Sequence, residues 1–232
     1  MKNKLGIIGG MGPLATSIFF SRIIDSTMAT KDQEHIWTVI SSHSTMPDRT
    51  SVIVEKLNHD VIIQAVSEDI KIMEAANVER ISIPCNTFHY FYDEVQSLTD
   101  IPIINMIDEA MKEFSTLYGK KTLVLSTVGT KQAGVYEKYA ETNGIEILDL
   151  DEKYVTQIND LIYEIKSTNM VDRPEFIEFL EELFEVYQPD GIIVACTELS
   201  LIPLGKFTNN KVLDAMDVLV RESILQTGYQ MK

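Results

Sequence analysis

The sequence predicts an α/β protein built on parallel sheets covered on both faces. Three observations carry that expectation. Short apolar, β-rich runs alternate with longer helical stretches along the whole chain. The helical stretches show amphipathic spacing, most clearly over residues 60–76. The pattern then restarts near the middle of the chain.

Taken in order, the first strand is Leu5-Gly6-Ile7-Ile8, closed by Gly9-Gly10, and a helical window follows over 13–28. A second strand is expected over 36–41, and a second helix over 60–76, where Ile62, Ile63, Val66, Ile70 and Met73 fall on one face. Strands at 80–83 and 101–105 lead to a helix at 107–117. The second series runs strand 122–126, helix 131–142, strand 145–148, helices 152–166 and 174–187, and strand 191–195. The doubling is visible in the motifs. Ile81-Ser82-Ile83-Pro84-Cys85 and Ile192-Ile193-Val194-Ala195-Cys196 end in cysteines 111 residues apart, and Gly12 and Gly129 in the two opening loops are 117 residues apart. Two related α/β units follow, with no low-complexity linker between them, which implies close packing around a cleft.

Composition narrows the function. The chain has 232 residues, 35 Asp+Glu against 20 Lys+Arg, and a formal charge of −15, a poor basis for holding a phosphate backbone. Its aromatic residues are not interleaved with basic ones, which argues against single-stranded nucleic acid. Two cysteines do not make a disulfide scaffold, and His35, His43, His59 and His89 show no metal-ligand spacing. Charged residues at 24% beside 45% hydrophobic ones describe a globular chain. No uninterrupted apolar run approaches the roughly 18 residues of a membrane span. Lys2, Lys4 and the apolar run after them look like the start of a signal peptide, but Gly9, Gly10, Gly12 and Pro13 break it, so the expected location is cytoplasmic.

The chemistry is expected beyond the carboxyl ends of the strands, where parallel α/β sheets bind ligands. Both cysteines fall there, each before small polar residues able to open a helix, whose positive end would lower a thiol pKa. Two such thiols across a cleft suit inversion of a carbon stereocentre, one removing a proton as the other supplies one. Other readings stand beside this one. Cys85 and Cys196 are buried structural thiols, or Cys85 pairs with His89 four residues on as a nucleophile and base, or the two form a redox pair without Cys-x-x-Cys spacing. Gly10-Met11-Gly12-Pro13-Leu14-Ala15 satisfies a dinucleotide glycine pattern, but the next strand lacks the acidic ribose partner. The loop reads as a close backbone approach to a small anion, or as a plain tight turn. Arg49, in a loop after the second strand, either binds a carboxylate with its fork or pairs with Asp48 or a surface acid. Lys166 ends a helical window, where a cation suits the helix terminus.

Taken together, Gly9-Gly10-Met11-Gly12-Pro13, Pro47-Asp48-Arg49-Thr50, Pro84-Cys85-Asn86-Thr87 and Ala195-Cys196-Thr197-Glu198 resemble the aspartate/glutamate racemase family, on its aspartate side. The resemblance runs from near the N-terminus to residue 198. It implies two flavodoxin-like α/β domains related by a pseudo-twofold axis, one made of residues 1–105 and 207–232 and the other of 106–206, with the C-terminal helix returning to the first and the site in the cleft between them. It also implies racemisation without pyridoxal phosphate or any other cofactor, and a homodimer. Cys85 and Cys196 match the acid–base pair, and Arg49 and Lys166 the groups that hold substrate carboxylates. Asn86, Thr87 and Thr197 match residues beside the cysteines that bind the α-carboxylate, and Met11 and Gly12 the loop lining the pocket.

Glutamate racemases carry an Asp-Ser pair in the glycine loop and a histidine where this chain has Glu198, so the expected substrate is aspartate or a related acidic amino acid. Both thiols are present, where some relatives replace one by threonine, which supports reversible action on both enantiomers. Broad-specificity amino-acid racemase, hydantoin racemase, maleate isomerase and decarboxylase remain within the superfamily, and a small-anion binding module and a Cys–His hydrolase outside it. The charge of −15 does not oppose an acidic ligand, because salt screens exposed charges beyond about 8 Å and leaves the local cations to dominate the cleft.

Overall fold

The structure, a computed structural model, describes residues 3–204 and 211–232. Two parallel sheets form. In the first, β1 (Leu5–Gly9) lies between β2 (Thr38–Ser42) and β3 (Arg80–Ser82). In the second, β4 (Lys121–Leu125) lies between β5 (Glu146–Ile147) and β6 (Gly191–Val194), and β7 (Val212–Asp214) extends the edge beyond β6. Each half therefore places its opening strand between the next two, and the repeat expected from the motifs is a repeat of topology.

The helices are α1 (Pro13–Ser26), α2 (Arg49–Glu55), α3 (His59–Ala75), α4 (Tyr92–Gln96), α5 (Met106–Leu117), α6 (Val128–Gln132), α7 (Glu137–Asn143), α8 (Glu152–Thr168), α9 (Glu175–Tyr187) and α10 (Ala215–Gln226). The helix expected over 131–142 divides into α6 and α7, because Gly134 between them takes φ +61. The strand expected over 101–105 makes only the Ile81–Ile103 bridge. Pro102 has no N–H with which to carry the ladder further back. The periodicity did not show β7, α2, α4 or α10, the last being expected only from the resemblance. β7 is only three residues long. α2 begins at Arg49, where a loop was expected, because the Asp48 carboxylate caps it by accepting the Ser51 N–H at 2.9 Å.

Packing joins the halves. Leu5 and Ile7 of the first sheet share one buried core with Ile193 and Leu213 of the second, filled by Phe19, Met111, Phe114, Met216 and Leu219 from α1, α5 and α10. Burying such a side chain is worth about 1.5–3 kcal/mol, so separating the halves would expose several of them at once. Outside this shared layer, Ile62, Val66, Ile70 and Met73 of α3 cover one sheet, and Ile158, Ile162, Leu180 and Leu183 of α8 and α9 cover the other. α10 follows directly on β7 of the second sheet, yet Ser223 on it meets Ser82 of β3 at 2.7 Å. The expected domain boundary between residues 206 and 207 lies outside the described residues. Among the described residues no helix is long and apolar enough to cross a membrane.

Candidate active site

Cys85 follows β3 and Cys196 follows β6, and both thiols are free and buried. No α-helix begins directly at either cysteine. Beyond Cys85 a 3₁₀ turn, Thr87–Phe91, runs on into α4, and beyond Cys196 the lone 3₁₀ turn Leu199–Leu201 is too short to sum a macrodipole. At Cys196 the expected lowering of the pKa is reversed. Burial pushes the thiol well above its ordinary value, the Glu198 carboxylate adds to the shift, and Lys166 opposes it. The Cys196 S–H donates to Glu198 Oε2 at 3.0 Å, and the Thr197 hydroxyl donates to the same oxygen at 3.3 Å.

Arg49 is 8% exposed and, among the described residues, pairs with no carboxylate through hydrogen bonds; its fork donates to the carbonyls of Met46, Pro47 and Met11 at 3.3, 2.7 and 3.5 Å. Its Nε is buried without a partner. A buried guanidinium held by neutral carbonyls keeps its charge available to an incoming anion. Lys166 lies 3.9 Å from Asp48 and 4.6 Å over the Tyr163 ring. Burial disfavours its charge, but Glu198, the Cys196 sulfur, Tyr163 and Asp48 hold its pKa above the usual lysine value. Asp48 is pulled both ways. Burial raises its pKa, while the Ser51 N–H bond and the charges of Lys166 and Arg49 bring it below the ordinary carboxylate value.

Asn86 and Thr87 are held from the other half of the chain. Tyr136, fully buried before α7, donates its hydroxyl to Asn86 Oδ1 at 2.6 Å, which leaves Asn86 Nδ2 without a partner. The Thr87 hydroxyl meets those of Thr127 and Thr130 at 3.1 and 2.8 Å. Close approach makes these contacts possible: a β-carbon on Gly129 would stand 2.8 Å from Thr50 Cα. Burial raises the Tyr136 pKa well above its ordinary value, so it stays a donor.

The glycine loop closes the first-half side. Gly10 has φ +89 and its missing β-carbon would fall 2.4 Å from the His43 nitrogen, so the chain turns there only with glycine. Its N–H donates to Thr16 Oγ1 at 2.9 Å and is therefore not offered to an anion. Met11, Arg49, Cys85, Asn86, Thr87, Lys166, Cys196 and Thr197 line a single cleft of about 280 Å³ with Asp48, Thr50, Thr127 and Glu198. Gly12 is not part of that lining; it faces an adjoining cavity of about 680 Å³, which shares Asp48, Arg49, Lys166 and Glu198 with the cleft.

His89 is a correction to the nucleophile–base alternative. Its Nδ1 bonds the Cys85 carbonyl, not the thiol, at 2.9 Å, and its Nε2 accepts the Met106 N–H at 3.2 Å. Burial lowers its pKa to about 4, so the imidazole is a neutral link between the Cys85 loop and the start of α5. Among the described residues no group of three His, Cys, Asp or Glu side chains is placed to hold a metal ion.

Sequence reasoning missed five cleft or supporting residues. Asp48, Thr50 and Glu198 lie inside the quoted motifs and were available as neighbours of Arg49 and Cys196. Thr127 follows β4 at the place that answers the glycine loop after β1. Tyr136 had no sequence signal, standing 50 residues from the asparagine it holds. The assembled site gathers Arg49, Lys166 and two thiols around one cleft, an arrangement whose charge suits a small anionic or zwitterionic molecule.

A family model described as Asp/Glu/Hydantoin racemase matches residues 8–223. The broad-specificity amino-acid racemase RacX of Bacillus subtilis (strain 168) is 31% identical over 228 residues, covering 95% of this chain and 96% of that protein. Among solved structures, the aspartate racemase of Picrophilus torridus superposes with a TM-score of 0.83 at 28% identity, covering 99% of this chain and 96% of that one. An aspartate racemase homologue from Pyrococcus horikoshii OT3 gives a TM-score of 0.79 at 25% identity, covering 98% and 99%.

Proposed function

The chain belongs to the Asp/Glu/hydantoin racemase family, and on that premise we propose that it interconverts the L and D forms of aspartate, or of a related acidic amino acid, by cofactor-independent acid–base chemistry at Cys85 and Cys196. The observation that supports this most is the convergence of two free thiols from different halves of the chain on one cleft beside an Arg49 fork bonded to main-chain carbonyls. In this reading one thiolate takes the Cα proton, and the opposite thiol delivers a proton to the other face. The Arg49 and Lys166 charges and the unpartnered Asn86 Nδ2 hold the carboxylates, and they stabilise the charge that builds on the carbanionic transition state. A thiol kept protonated by burial is also a strong base once it loses its proton, which suits a weakly acidic Cα–H.

A wider substrate range is a second reading. The adjoining cavity is lined in part by Pro13, Leu14, Met46, Ile165 and Leu201, an apolar wall that suits side chains other than that of aspartate. The similarity to a broad-specificity racemase points the same way. One experiment separates the readings. The protein is incubated in D₂O with L-aspartate, L-glutamate, and neutral and basic L-amino acids, and Cα deuterium and optical rotation are followed. Exchange confined to acidic substrates supports the first reading and exchange across the panel the second. Binding without any exchange would leave a small-anion binding module and sink both.

A further inference from the structure

The two thiols are matched in burial, at 6% and 5% exposure, but not in their partners. Cys196 donates to a carboxylate oxygen at 3.0 Å, and Thr197 donates to the same oxygen. Among the described residues no carboxylate is hydrogen-bonded to the Cys85 sulfur, whose loop is fastened through its main chain by His89. We propose that Glu198 is a positioning residue that decides which thiol begins as the acid: its carboxylate keeps the proton on Cys196, and Cys85 makes the first abstraction. The inference rests on the racemase reading above.

The geometry favours one protonation pattern. An S–H pointed at a carboxylate is a charge-assisted donor, whereas a thiolate in the same place would face a like charge 3.0 Å away. The other charged or titratable groups lining the cleft with Cys196 are Lys166 at the end of α8, Asp48 and Arg49 at the start of α2, and Cys85 itself. Tyr136, before α7, also interacts with the sulfur, and as a neutral phenol it adds no charge. Lys166 is the cation acting on the sulfur, and it also acts on Glu198 and Asp48, which divides its effect.

Proton accounting closes over a turnover. The Cα proton passes to the Cys85 thiolate, and the Cys196 S–H proton passes to the opposite face of Cα. Product leaves an enzyme with Cys85 protonated and Cys196 ionised, and proton exchange with water restores the starting form, a return that Glu198 favours by stabilising protonated Cys196. Because enantiomers have equal free energy, kcat/KM is equal in the two directions for any variant, so the informative readout is the thiols themselves.

The test is timed alkylation with iodoacetamide between pH 6 and 9, with each cysteine peptide quantified by mass spectrometry, on the wild-type protein and on Glu198→Gln and Glu198→Asp. In wild type at pH 7, Cys85 is expected to label well ahead of Cys196. In Glu198→Gln, which keeps the side-chain shape and removes the charge, Cys196 labelling at pH 7 should rise about tenfold, its midpoint moving down by about one pH unit. Glu198→Asp should fall between the two. The alkaline limb of kcat/KM for Glu198→Gln should shift downward with the labelling midpoint. Equal labelling of the two cysteines in wild type, or an unchanged ratio in Glu198→Gln, would overturn the proposal, and the wild-type arm needs no variant to fold. Labelling needs no substrate. The expected labelling without any Cα exchange in D₂O would therefore overturn the racemase reading while supporting the placement of the proton.

Discussion

Tyr136→Phe removes one oxygen, far from either thiol in sequence, and should damage both stability and activity. The Tyr136 side chain is 1% exposed and its hydroxyl donates to Asn86 Oδ1 at 2.6 Å. Phenylalanine fills the same space, so no large cavity opens and the cost comes from the orphaned carbonyl oxygen of a residue only 3% exposed. Leaving such a group unpaired costs about 1–3 kcal/mol. Taking the middle of that range, about 2 kcal/mol, a chain of this size loses roughly 4–8 °C in Tm. The activity loss has a separate origin. The tyrosine hydroxyl fixes the orientation of the Asn86 amide, and under the proposed mechanism its loss frees the Nδ2 donor from the placement in which it would meet a substrate carboxylate. A fall in kcat/KM of about tenfold, or about 1.4 kcal/mol of transition-state stabilisation, is expected. Differential scanning calorimetry and a polarimetric assay measure the two effects independently. A Tm within 1 °C of wild type together with kcat/KM within twofold would refute the assignment of Tyr136 as the support of Asn86.

Three further outcomes are expected. Cys85→Ser and Cys196→Ser should each abolish racemisation, with proton exchange from one enantiomer surviving in each; either variant racemising normally would end the two-thiol mechanism. Arg49→Lys should lower kcat/KM about a hundredfold, because an ammonium cannot reproduce a fork that bonds three carbonyls and still faces a carboxylate; a loss under threefold would count against the carboxylate role. His89 sets a pH dependence of stability. Below its ordinary pKa of 6.5 the unfolded chain binds a proton that the folded imidazole refuses until about pH 4, so this contribution is complete above about pH 6.5 and is lost as pH falls toward 4. Urea unfolding at pH 7 and pH 5 should show a loss of about 2 kcal/mol that His89→Gln lacks, and parallel losses in both proteins would be the contrary result.

The strands that the sequence revealed most directly are the buried ones. β1 and β6 are apolar along their length and covered on both faces, so burial leaves a continuous hydrophobic run in the sequence. β7 and α2 left weaker signals, since each is short and owes its place to neighbours: β7 to the open edge of β6, α2 to the Asp48 cap. The motifs around Cys85 and Cys196 were legible because each lies on one short loop at a strand end, and that around Arg49 because it spans the cap and first residues of α2, where local sequence determines local shape.

What surrounds those motifs was not legible. The thiol pKa at Cys196 depends on burial, on Glu198 and on Lys166 arriving from α8, and the helix dipole expected there does not form. His89, four residues from Cys85, is directed to the Cys85 and Met106 main chain by the path of the backbone, a choice that spacing alone leaves open. By itself the sequence determined the parallel α/β class, the doubled plan, and the short motifs that carry the thiols and the arginine. Only the tertiary structure decided which groups share a cleft and what charge each carries there. Hydrophobic periodicity and turn chemistry act over a few residues, whereas solvation and electrostatic coupling depend on distances in space between residues as far apart as Tyr136 and Asn86, or Lys166 and Asp48.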